Sequence, residues 1–219
     1  MTEKILPLLS ALEIRVLGVL AEKQLTTPDN YPLTLNALTA GCNQKTSRDP
    51  VMQVEETLVQ EALDGLKERG FVTQTWGASR RVVRYGHILS KVIDADSGTS
   101  ALVVALMLRG PQTPGALRIA CERLHDFADL SSVEAYLEEM SRRPGGALAV
   151  RLPKQPGARE HRWAHLLNGP VDLSQTATES ESPDTNRLDM LAAQVAQLRA
   201  DQEKLQAQVE QSLVERNGQ

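Results

Sequence analysis

Aromatic side chains are scarce: two Trp, three Tyr and two Phe, 3% of a chain of 219 residues. The cores must therefore rest on Leu, Val, Ala and Ile, which favours small helical domains over an aromatic-rich β-sandwich. Only two cysteines occur, Cys42 and Cys121, each inside a predicted helix. That argues against a disulfide framework and makes a reducing cytoplasm the expected location. No apolar run reaches the roughly 18 residues that a membrane span needs. The first residues also lack the charged-then-apolar pattern of a signal peptide. Catalytic signatures are missing as well: there is no Walker-type loop, no Gly-x-Ser-x-Gly elbow and no dinucleotide fingerprint. The four histidines, His87, His125, His161 and His165, form no metal-binding pattern. Cys121 and His125 stand at i, i+4, but two ligands do not close a zinc site. A non-enzyme without cofactor or metal is the expectation.

Net charge is −4, unevenly spread. Residues 1–94 carry 11 basic and 11 acidic side chains, residues 95–170 carry 9 and 8, and residues 171–219 carry 4 and 9. The acidity belongs to the tail. A near-neutral remainder lacks the broad basic footprint of an obvious nucleic-acid binder.

What is present is helical periodicity and turn chemistry. Ser10–Gln24 is an amphipathic helix, with Ser10 and Glu13 spaced for a capping box. A second helix begins near Leu33 and carries Leu35, Leu38 and Cys42 at helical spacing. The polar turn Asn43–Arg48 follows, and Asp49-Pro50 reads as the cap and first residue of a third helix running to about Arg69. Val51, Val54, Leu58, Ala62 and Leu66 form its expected buried side, and Gly70 ends it. Two extended runs, Phe71–Trp76 and Arg80–Tyr85, flank a glycine-bearing turn as a β-hairpin. Three helices and a hairpin make a winged helix.

The order then recurs. Helices are expected over Ser100–Arg109, Pro114–His125 and Ser131–Arg143, the last capped by Ser131 with Glu134. A hairpin follows over Ala147–Leu152 and Arg162–Leu167. Leu63, Leu66 and Arg69 match Leu137, Met140 and Arg143 at a constant offset of 74, and Thr27-Pro28 recurs as Thr113-Pro114. The expected fold is mainly α with small β-hairpins (α+β): tandem winged-helix domains over 1–94 and 95–170. A Ser/Thr/Glu/Pro-rich acidic linker over 171–186 and an amphipathic helix over 187–216 follow. In that helix Leu188, Leu191, Val195, Leu198, Leu205 and Val209 keep heptad spacing, which suits a coiled-coil homodimer or a lone helix packed back on the domain.

Two functional readings follow. In the first, the chain is a regulatory DNA-associated protein. Lys45, Ser47 and Arg48 in the turn ahead of a helix N-terminus, Arg80, Arg81 and Arg84 on the first hairpin, and Lys154 and Arg159 on the second would contact phosphates of double-stranded DNA. Against it, the would-be recognition helix exposes Glu55, Glu56, Glu61 and Asp64, a face that repels phosphate. In the second reading the chain is a protein-interaction module with a protein partner. A third, a ligand-sensing regulator, would need a pocket between the two units.

The segments Thr27–Leu38 and Cys42–Val51 resemble the signature of the YceH-like family of uncharacterised bacterial proteins. Leu-Arg-Gly-Pro-Gln-Thr-Pro-Gly at 108–115 and Glu-Arg-Leu-His-Asp-Phe at 122–127 resemble it too, so the likeness spans about residues 10–168. The resemblance implies tandem winged helices and no established activity, cofactor or assigned functional residue. Such a pair is also similar to the accessory subunits of bacterial chromosome-condensation complexes, which bind protein partners. That likeness is one of fold alone.

Overall fold

In the computed structural model, which describes residues 8–76 and 82–171, the stretch after Ser10 forms α1 (Ala11–Thr26). Both capping-box bonds are made: the Glu13 amide donates to the Ser10 hydroxyl, and the Ser10 amide donates to the Glu13 carboxylate. Every residue from Ile14 to Ala21 is buried, so α1 is enclosed rather than lying on the surface. Around it pack α2 (Leu35–Cys42), α3 (Glu56–Glu68) and the first long helix of a second set. Strands β1 (Val72–Trp76) and β2 (Val83–His87) pair antiparallel, from Val72 opposite His87 to Trp76 opposite Val83. A short helix, α4 (Leu89–Val92), leads into α5 (Ser97–Arg109), α6 (Pro114–Cys121) and α7 (Leu130–Arg142). Strands β3 (Ala149–Arg151) and β4 (Trp163–His165) close the second set as another antiparallel pair. Seven α-helices and two small strand pairs among the described residues are the α+β class with hairpins that the sequence implies.

The repeat is better defined in the structure than in the sequence. α3 and α7 are both 13 residues long and lie 74 positions apart. Arg69, just past α3, reaches back to the Leu8 carbonyl and the Glu13 carboxylate ahead of and within α1. Arg143, just past α7, reaches back to the Ile93 carbonyl and Asp94 ahead of α5. The same arginine device ties the third helix of each set to the entry of its first. The second-helix entries correspond differently from the expected Thr-Pro pairing. Leu33 exchanges both backbone hydrogen bonds with Tyr85, and Gln112 exchanges both with Trp163. Thr34 and Thr113 then cap α2 and α6. The matching tripeptides are Pro32-Leu33-Thr34 and Pro111-Gln112-Thr113, because they alone pair with a strand and cap a helix.

One apolar core runs through both sets: Leu17 and Leu20 of α1 belong to the same cluster as Leu102 and Leu106 of α5. Gly18 lets the two helices close up, since a Cβ there would lie 2.9 Å from Leu108 Cδ2. No helix among the described residues is long and apolar enough to cross a membrane.

Three local expectations are corrected. The third helix begins at Glu56, not Pro50. Backbone groups of the preceding segment are engaged elsewhere: the Asp49 amide donates to the Leu108 carbonyl, the Pro50 carbonyl accepts from Arg15, and the Asn43 amide group brackets both polar atoms of Val54. Its buried side is Val59, Ala62, Leu63 and Leu66, while Val51 and Leu58 are exposed. α7 is capped by Asp129 with Ser132, two residues ahead of the expected Ser131 with Glu134, because a carboxylate is the stronger acceptor. The helix expected from Ser100 starts at Ser97, capped by Asp96.

Candidate functional site

The segment between α2 and α3 is long for a helix-turn-helix connection and is held rigidly. Arg15 is buried in α1 and donates to the Cys42 and Pro50 carbonyls. Arg48, with its side chain fully inaccessible, donates to the Gly41 carbonyl and grips both Glu22 oxygens, at 3.0 and 2.6 Å. Two arginines and Asn43 therefore lock residues 43–55 against α1. Arg48 was expected at a phosphate. Its charge is instead matched by Glu22 inside the fold. Lys45 stands exposed, and Ser47, in the left-handed region at φ 58°, accepts from Arg109 at 2.9 Å.

The locked segment delivers α3 with its outer face in solvent. Glu55, Glu56, Glu61, Asp64 and Glu68 are exposed there. Leu58, 45% exposed, lies one turn from both Glu55 and Glu61, so an apolar side chain sits within a ring of carboxylates. Neighbouring polar groups are already engaged: Gln60 accepts from Tyr85, Asn36 donates to Glu56, and Lys67 donates to Gln74 at 2.6 Å. α7 repeats the composition with exposed Leu130, Glu134 and Glu139, although Arg142 and Arg151 pair with Glu138.

Of the hairpin cations expected at phosphates, one is engaged by the backbone and two stand exposed among the described residues. Arg84 donates to the Pro32 carbonyl at 2.8 Å, while Arg80 and Arg81 lie outside the described residues. On the second hairpin, Lys154 and Arg159 are exposed in the loop joining β3 to β4. Trp76 is 60% exposed at the end of β1, opposite Val83 of β2. The heptad positions Leu188, Leu191, Val195, Leu198, Leu205 and Val209 fall outside the described residues, as do residues 172–186 of the linker.

The reactive side chains are in quiet environments. Burial pushes the Cys42 and Cys121 thiols up to about 12, which keeps both protonated and poorly nucleophilic. Cys121 donates to the Ala101 carbonyl, and His125 turns away to pack edge-on against Phe127 at 4.6 Å, so the two do not converge. Burial lowers His87 to about 4; its Nδ1 accepts from the Leu89 amide and its Nε2 faces Gln24 Oε1 at 2.7 Å. His165 is lowered to about 4 by the same cause, with its Nδ1 accepting from Leu167. Tyr31 sits edge-on to His87, and its hydroxyl accepts from the His87 amide, a packing role. Among the described residues, no group of three or more His, Cys, Asp or Glu could hold a metal ion.

Comparison with known proteins places this geometry in a family. Residues 9–158 match a family described as "Protein of unknown function, DUF480". A UPF0502 protein of Dechloromonas aromatica is 51% identical over 202 residues, covering 92% of this chain and 94% of that protein. UPF0502 proteins of Acidovorax sp. and Delftia acidovorans are 50% and 52% identical, covering 90% and 92% of this chain and 92% and 89% of theirs.

Proposed function

The chain belongs to the DUF480 family, and we propose that it is a non-enzymatic protein-interaction module built of tandem winged helices. In this reading the outer face of α3 docks a basic segment of a partner protein that carries an apolar side chain for Leu58. The observation that carries it is the charge of that face. The helix a winged helix would lay in a DNA groove presents five exposed carboxylates and one exposed leucine. Phosphates would be repelled there, whereas lysines and arginines of a protein would be drawn in. The locking of residues 43–55 by Arg15, Arg48 and Asn43 supports the same reading, because a pre-organised surface loses little freedom on binding. Two buried free cysteines suit a cytoplasmic protein. Heptad spacing beyond residue 187 suits a homodimer.

DNA association is kept as a second reading by one observation, the exposed Lys154 and Arg159 of the second hairpin loop. The primary reading is tested by quantitative affinity capture from cells of the source organism, with the full chain and a Glu56→Lys/Glu61→Lys/Asp64→Lys variant side by side. A protein retained by the wild type and lost from the folded variant supports it. A retained set identical for both proteins overturns it.

A further inference from the structure

A groove of about 220 Å³ opens between the two sets of helices, away from the α3 face. Its walls come from the last turns of α1, the tip of the locked 43–55 segment, the end of α5 and the α6 region. Three of the four segments by which the chain resembles its family contribute lining residues: Ser47 from 42–51, Arg109 from 108–115, and Arg123 with Leu124 from 122–127.

Three cations line the groove: Lys23, Arg109 and Arg123. Glu22 is held by Arg48 through both oxygens and lies 3.7 Å from Lys23, which leaves Glu122 against Arg109 and Arg123. The balance of available charge is positive. Arg109 donates one bond to Ser47, and Arg123 donates one to the Thr26 carbonyl at 3.5 Å. A guanidinium has five N–H donors, so both retain several. Beside them stands an apolar wall, where Ile119 is 69% exposed and Leu124 is half-buried. An isoleucine so exposed in the same groove as two arginines matches a ligand that is charged at one end and apolar at the other.

We propose that this groove binds a small organic anion: a carboxylate on a compact apolar body such as an aromatic ring. The carboxylate meets Arg109 and Arg123, and the ring lies on Ile119 and Leu124. The volume, below the roughly 300 Å³ of ordinary ligand pockets, sets the size. All four contacting residues belong to the second set, and Lys23 and Thr26 at the end of α1 line the same groove. The inference is independent of the α3 reading, since none of its residues lies on that helix.

The test is a titration of the isotope-labelled full chain with benzoate, followed by NMR at the Ile119 methyl and the Ser47 amide. Inorganic phosphate and benzyl alcohol serve as charge-only and ring-only probes. Benzoate should give saturable shifts at both positions. Its affinity should fall about tenfold or more in Arg109→Gln/Arg123→Gln, as expected for loss of charged hydrogen bonds. Both other probes should bind about tenfold more weakly or worse. Ile119→Glu, a change at a side chain that is 69% exposed, should abolish the benzoate shift at the Ser47 amide. The proposal is overturned if benzoate gives no saturable shift, if phosphate or benzyl alcohol binds equally well, or if Ile119→Glu leaves the response unchanged.

Discussion

Arg48 and Glu22 meet at 2.6 Å with the arginine side chain shut off from solvent. Removing one member of such a pair leaves the other charge and its acceptors unmatched in the interior. Arg48→Ala should lower unfolding stability by about 3 kcal/mol in urea titrations. Arg48→Lys should recover only part of it, because one ammonium cannot reach two Glu22 oxygens and the Gly41 carbonyl in the same geometry. His87 and His165 give a pH dependence of definite sign. Both are held near 4 by burial, against an ordinary value of 6.5. Between those values the unfolded chain binds protons that the folded chain does not, so stability rises with pH. Their contribution is complete above about pH 6.5 and is lost as pH falls toward 4. Melting temperatures should drop over that window, and His87→Asn should make the drop shallower.

At the scale of elements, legibility follows the range of the interactions involved. The capping box of α1 joins residues three apart, and each hairpin joins strands that are neighbours in sequence, so spacing and strand pattern reveal them. Residues 43–55 are different, since their partners are Arg15 in α1 and Leu108 in α5. A Pro-led helix start is locally reasonable there, and distant partners override it. The candidate site divides in the same way. The acidic face of α3 is readable as a run of Glu and Asp, whereas the engagement of Arg48 and Arg84 is not, because Glu22 and Pro32 lie far off in the chain. The packing of α2 on α1 also rests on a long-range approach. A Cβ at Gly41 would sit 2.6 Å from Val19 Cγ1, a stiff β-branched neighbour. Gly41→Ala gains up to about 1 kcal/mol of helix propensity, but over-packing costs about 1–3 kcal/mol. The variant should be destabilised by about 1 kcal/mol net in urea titrations.

At the scale of the molecule, two sets of three helices and a hairpin share one core, joined where α1 lies on α5. Each set turns its third helix outward with acidic residues on the exposed side. That distribution of charge separates partner docking from DNA docking. Anisotropy of a labelled DNA duplex, across a salt series, compares the full chain with its Glu56→Lys/Glu61→Lys/Asp64→Lys variant. The account predicts no salt-sensitive submicromolar binding by the wild type at near-physiological salt. The charge-reversed variant should gain affinity, with a log–log salt slope of roughly 0.9 for each new phosphate contact. Tight, salt-sensitive binding by the wild type that Lys154→Ala/Arg159→Ala removes would contradict the account and assign the chain to DNA.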